Sequence, residues 1–186
     1  MTTRKPRNDL SAAQVRRRLH YDPETGVLTW RARTAIDIPN KRIRKSWNTR
    51  YAGTEAGSLL PTSNGEGFYR TVMWGGRRKL AHRLAWLWMT GEWPEGELDH
   101  RDGEGLNNRW LNLREASTVQ NRRNARVKRT NTHGLKGVRA NARKYAASIT
   151  IAGRITHLGN FDTPEEAHAA YVEAARKHFG EFANPG

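Results

Sequence analysis

Hydrophobic positions come in short blocks whose spacing changes along the chain. Residues 1–9 are polar and basic and read as a loose tail. Ser11 stands three residues before Gln14, the spacing of a capping box, with Leu10 and Val15 placed for a hydrophobic staple. A helix to about His20 is expected. Residues 21–26 (YDPETG) are turn formers, and residues 27–30 read as a short strand. Residues 31–50 are basic and irregular, and no element is assigned to them. Phe68–Trp74 and Arg77–Leu80 flank Gly75-Gly76, a pair suited to the positive backbone angles of a tight hairpin. Ala81, Leu84, Ala85 and Trp88 then recur at helical spacing, and Gly91 and Pro94 end that helix.

Beyond residue 98 the pattern changes twice. A strand ending at Asp99-His100 leads into a loop rich in Gly and Asn, then a helix from about Ser117. Residues 125–133 read as a basic linker. Strands at 145–151 and 154–158 turn at Ala152-Gly153, with a shorter strand around Val138 before them. The last helix has Thr163 as N-cap, Pro164 in the first helical position and Glu166 closing a capping box. Its buried face is expected to be Ala167, Ala170, Tyr171 and Ala174, with Gly180 as the stop. No internal repeat is evident. The fold class is α+β, with residues 1–67 as an N-terminal helix, hairpin and irregular basic segment, 68–124 as the chemical domain, 125–133 as linker and 134–186 as a small sheet-and-helix domain.

Composition sharpens this. Only 36% of the 186 residues are hydrophobic, so the cores must be small; all seven tryptophans fall between Trp30 and Trp110. Net charge is +15. No Asp or Glu occurs between Glu115 and Asp162, while Arg122, Arg123, Arg126, Lys128, Arg129, Lys136, Arg139, Arg143, Lys144 and Arg154 all lie there. That distribution points to a polyanion, with nucleic acid the commonest. Cysteine is absent, which excludes disulfides and thiolate zinc sites. No signal peptide is read at the N-terminus, and residues 84–89, the longest apolar stretch, are too short to span a membrane. A cytoplasmic setting is expected, with no membrane or protein partner, as a monomer or dimer.

The stretch LDHRDGEGLNNRWLNLREASTVQNRRN carries the candidate chemistry. Phosphodiester hydrolysis needs a base near neutrality, a divalent cation on the phosphate, and oxygen ligands that leave its shell open. His100 suits the base. Asp99 and the Asn121 amide oxygen suit a metal, and Asn112 suits a loop-fixing role that orients the His100 ring. Each residue alone has a bland alternative: surface Asp-His, a turn at Asn107-Asn108, and plain packing or a phosphate contact for His82.

Together the segment resembles the HNH endonucleases, especially the phage and group I intron homing type. His100, Asn112 and Asn121 match the family's motif positions, and Asp99 matches the residue before the general base. His82-Arg83-Leu84-Ala85-Trp86, Gly91-Glu92-Trp93-Pro94, Asn107-Asn108-Arg109 and Asn112-Leu113-Arg114-Glu115-Ala116 also fit, and a looser likeness reaches upstream to residues 21–26. Arg101 departs, since an apolar residue is usual there. The resemblance implies a ββα-metal (His-Me finger) domain, magnesium or manganese rather than zinc, hydrolysis of double-stranded DNA to 5′-phosphate and 3′-hydroxyl ends, and nicking by a monomer. Phage or mobile-element origin in a bacterial host is implied too.

Residues 134–184 resemble the AP-two/ethylene-response-factor DNA-binding domain, through Gly137-Val138-Arg139, Tyr145-Ala146-Ala147-Ser148-Ile149, Leu158-Gly159-Asn160-Phe161 and Glu166-Ala167-His168-Ala169-Ala170-Tyr171. The likeness implies a three-stranded antiparallel sheet packed on one helix, with Ala147, Ile149 and Ile151 facing the helix and Ala146, Ser148 and Thr150 outward. The DNA-contact candidates are Arg109, Arg122, Arg123, Arg126, Lys128, Arg129, Arg139, Arg143, Lys144, Ser148, Thr150, Arg154 and His157. For Arg143 and Lys144 a solvated turn is the competing reading. Two other classes are weighed against a nuclease: a DNA-binding regulator with an inactive HNH motif, and an RNA binder, which would want exposed aromatics that residues 146–150 lack.

Overall fold

The computed structural model describes residues 10–62, 65, 67–125, 127, 131, 133–184 and 186. Contacts group the chain into two compact units, Met1–Glu115 and Ala116–Gly186.

In the first unit, α1 (Ala12–Arg18) starts at Ser11, whose hydroxyl accepts from the Gln14 N–H while the Gln14 side chain accepts from the Ser11 N–H. The helix stops at Arg18, short of His20. Leu19 and Tyr21 are needed on the buried side of β1 (Leu19–Tyr21), which pairs antiparallel with β2 (Leu28–Trp30). The turn between them is docked: the Trp110 N–H donates to the Pro23 carbonyl at 2.9 Å, and the Tyr21 hydroxyl donates to the Asn108 carbonyl at 2.6 Å. Gly26 makes this approach possible. Its φ is +77°, and a Cβ there would lie 2.5 Å from the Asn108 carbonyl carbon. Gly26→Ala is therefore expected to lose ~1–3 kcal/mol from backbone strain alone, read by urea unfolding; an unchanged midpoint would show that this loop does not rest on the turn.

The basic segment after β2 contains a helix, α2 (Lys41–Tyr51), capped by Asn40. It has no fully buried residue, so it leaves no core-facing period to read. Strand β3 (Ser58–Pro61) also went unforeseen. It edges a three-stranded antiparallel sheet with β4 (Phe68–Trp74) and β5 (Arg77–Leu80), whose Gly75-Gly76 turn has φ of +55° and +76°. Helix α3 (Ala81–Thr90) follows and ends on left-handed Gly91. Then come β6 (Glu97–His100), a 3-10 turn at Trp110–Asn112 and β7 (Leu113–Ala116), with β6 and β7 forming a two-stranded sheet.

One core ties these together. Val15, Leu19, Tyr21, Leu28, Val72, Leu84 and Leu87 are fully buried, and the cluster extends from Leu10 to Leu113. Each such side chain contributes ~1.5–3 kcal/mol relative to exposure. The segments either side of residue 67, separated on sequence, thus share this core.

In the second unit, α4 (Thr118–Asn124) begins with a Ser117–Gln120 capping box. The Asn184 amide donates to its Asn124 carbonyl at 2.7 Å. Strands β8 (Val138–Asn141), β9 (Lys144–Ile151) and β10 (Arg154–Phe161) form an antiparallel sheet in the order β10-β9-β8. Helix α5 (Pro164–Phe179) has the expected Thr163 cap and Glu166 capping box. Its Ala167 packs with Val138 and Ala147. Strand β10 runs past 158 to Phe161 by absorbing a bulge between His157 and Gly159. Ala146 is a correction in detail. It lies on the outward row but is buried, because its cross-strand neighbours Arg139 and Asn160 flank this small side chain.

Candidate active site

The end of β6 and the loop behind it hold the candidate base. His100 is only 5% exposed. Its Nε2 lies 3.1 Å from the Asn108 side-chain oxygen. An amide oxygen accepts, so Nε2 carries the proton and the basic lone pair falls on Nδ1. Asn108 is itself buried and pinned through its carbonyl by Tyr21. Burial holds His100 below the ordinary imidazole value, against opposing pulls from the Asn108 hydrogen bond and from Asp102, Asp99 and Glu104. The imidazole is thus neutral at neutral pH, the state a base requires.

Asn112 organises the loop rather than the ring. Its Nδ2 donates to Asp102 Oδ1 at 3.0 Å and to the Asn107 carbonyl at 2.7 Å, and its Oδ1 accepts from the Asp102 N–H at 3.1 Å. Asp102 also accepts from the Glu104 N–H and the Asn107 amide. Burial raises the Asp102 pKa, but these hydrogen bonds and His100 outweigh it, so the group sits below the usual carboxylate range. The ring partner foreseen as Asn112 is Asn108, and Asp102 is the loop's acceptor hub. Both stand in the RDGEGLNN text, where nothing in the spacing separated them from ordinary turn residues.

Asp99 precedes His100 on β6 and is 4% exposed. Arg114 Nε donates to its Oδ2 at 2.9 Å. Nη2 lies 2.8 Å from the same oxygen but off the hydrogen-bonding direction, so this ion pair is not a bidentate fork. Among the described residues no group of three or more His, Asp or Glu could hold a metal. A carboxylate oxygen suits a hard ion such as magnesium or manganese.

His82, at the start of α3, packs against the candidate base. It is buried, its ring centroid is 5.0 Å from that of His100 and 5.5 Å from that of Tyr69, and its Nδ1 has no hydrogen-bond partner among the described residues. Tyr69 also stacks on His100 at 6.1 Å. Desolvation, then the His100 and Arg83 charges, lower the His82 pKa to about 3. The unfolded chain binds a proton near pH 6.5 that the folded chain refuses, so stability is full above that value and falls with acid towards pH 3. From this group alone the fall is ~1.4 kcal/mol per pH unit, or roughly 2 kcal/mol between pH 7 and pH 5. Urea titrations at the two pH values check it, and His82→Phe should flatten the dependence.

The remaining candidates scatter. Asn121 lies half-buried on α4. Arg109 and Arg122 are exposed, whereas Arg123 stacks its guanidinium 4.3 Å over the Phe179 ring. Arg126, Lys128 and Arg129 lie outside the described residues. On the sheet, Arg139, Thr150 and His157 are exposed and Ser148 half-buried, and the register puts all four on the outward rows. Arg143 is exposed in the β8–β9 turn, and Lys144 pairs with Asp162 at 3.0 Å. Arg154 stands opposite Ile151, so it shares the helix-side row rather than the outward one. No described helix is long and apolar enough to cross a membrane.

Residues 79–125, from β5 through α4 and including His100, match the family model for HNH endonucleases. The chain is also similar to an uncharacterized HNH endonuclease, L560, of Acanthamoeba polyphaga mimivirus, 34% identical over 111 residues. That alignment takes in 59% of this chain and 58% of the relative's length. No solved structure matches.

Proposed function

We propose that this protein is a DNA endonuclease that hydrolyses phosphodiester bonds with His100 as general base. The supporting observation is the buried, neutral imidazole fixed by Asn108 inside the segment that matches the HNH family model. His100 Nδ1 takes a proton from the attacking water. Asn112, through Asp102 and Asn107, keeps the loop behind β6 in one shape, so the ring holds its direction while the proton moves. A divalent ion, magnesium or manganese, supplies charge stabilisation on the phosphate and departing oxygen when bound. Asp99 is the residue proposed to hold it, with Arg114 fixing its carboxylate.

Residues 134–186, the sheet and helix of the second unit, are proposed as an AP-two/ERF-like anchor on double-stranded DNA. Its stretch without acidic residues serves phosphate, and Ser148, Thr150 and His157 on the outward face serve base edges. One catalytic motif per chain suits nicking by a monomer and double-strand cutting by a dimer. A homing-type, phage or mobile-element nuclease in the cytoplasm of a bacterial host is the setting proposed.

The test is conversion of supercoiled plasmid to open circles. Nicking is expected with magnesium or manganese and not with EDTA. Because burial lowers the His100 pKa, activity should persist below pH 6.5 and fall only as acid protonates the ring. A protein that binds plasmid without nicking it under any divalent ion would leave only a DNA binder.

A further inference from the structure

We propose that α2 is a phosphate-docking helix for the backbone of duplex DNA, a surface separate from the loop around His100 and from the C-terminal sheet. This rests on the DNA reading above. Between Asp37 and Glu55 there is no acidic residue, yet α2 carries Lys41, Arg42, Arg44, Lys45 and Arg50. Asn48 holds the helix to the Arg33 backbone at 2.7 and 3.1 Å, and Trp47 packs edge-on to Trp30 and under the Arg33 guanidinium, 4.3 Å from its ring. Arg44 turns inward to the Ile38 carbonyl at 2.7 Å. Those contacts settle which side faces the protein. At 100° per residue the opposite side presents Arg42, Lys45, Ser46, Thr49 and Arg50, all exposed. None of the three cations pairs with a carboxylate among the described residues.

The isolated protein gains nothing from this arrangement. Lys41 and Lys45 repel at i, i+4, and the first turn holds cations and no acid, which opposes the helix dipole. A polyanion reverses the sign of both terms. The shape fits as well. A shallow concavity of about 350 Å³ is lined by Arg42, Ile43, Ser46, Trp47, Arg50 and Tyr51. It sets two guanidinium groups and a hydroxyl beside an apolar wall, as a phosphate and its sugar require. From Arg42 to Arg50 the helix rises ~12 Å, against 3.4 Å of duplex axis per phosphate on one strand, so two separated phosphates can be met. The Arg33 guanidinium covers one face of Trp47 at 4.3 Å, which takes that face from base stacking and favours duplex over single strands.

The experiment is binding of the full chain to a labelled 30-base-pair duplex in EDTA across a salt series. R42Q/K45Q/R50Q should reduce the slope of log affinity against log salt by about 2 to 3, since each lost phosphate contact removes ~0.9. R42K/R50K should keep the parent slope, and K45Q alone should lose about one unit. Circular dichroism confirms the fold, and K45Q, which makes no described contact, carries the test should the triple variant misfold. Slopes equal to the parent's in the triple variant, or in K45Q where the triple does not fold, overturn the inference; if plasmid nicking persists, the nuclease reading stands. A larger loss on single-stranded DNA than on duplex overturns the duplex assignment. A parent that binds no duplex sinks both.

Discussion

His100→Ala is expected to lower the nicking rate by roughly 10²–10⁴, the range that a positioned base contributes, while duplex affinity stays near the parent's. The Asn108 side-chain oxygen fixes one ring nitrogen of His100, and Tyr21 in turn fixes Asn108. Alanine removes the proposed base and leaves the cationic surfaces untouched. Retained affinity matters because a misfolded variant would lose both readouts. A His100→Ala protein that binds and nicks like the parent would remove the assigned base.

Arg114→Met is expected to cost ~3–5 kcal/mol of stability, because it strands a buried carboxylate without its cation. Asp99 and Arg114 are 4% and 6% exposed, and the pair links β6 to β7. Water has little access to this carboxylate, which must draw in another cation. One consequence separates this from a simple packing loss: the variant should be stabilised by added manganese. Chemical denaturation at pH 7 with and without metal reads it. A variant within about 1 kcal/mol of the parent would mean that the ion pair is not closed to solvent.

How legible this molecule was depended on what each segment buries. Helices α1, α3 and α5 could be read because capping boxes or an apolar period mark them, and the Gly75-Gly76 hairpin because its turn demands positive φ. Helix α2 could not. It is held by an arginine between two tryptophans and by one asparagine, and neither gives a periodic signal. Strand β3 could not either, since its residues are mostly exposed at a sheet edge and it ends in Pro61. At the site, Asp99, His100 and Asn112 are candidates from the sequence, and the structure sets Asp99 and His100 at the end of β6 and Asn112 in the turn before β7. Asn108 and Asp102 are not candidates from the sequence, because their roles arise from a loop folded back on itself. His82, read as packing or a phosphate contact, does pack: its buried ring borders that of His100. Arg154 shows the limit of alternation, since the hairpin's register, not its charge, decides its face.

Counting manganese bound to the protein on uncleaved duplex tests most directly whether the carboxylate beside the base holds the ion. In the His100→Ala background, electron paramagnetic resonance should find about one tightly bound ion per chain, lost when Asp99→Asn is added. Undiminished binding in that double variant, with nicking intact in Asp99→Asn alone, would contradict the assignment.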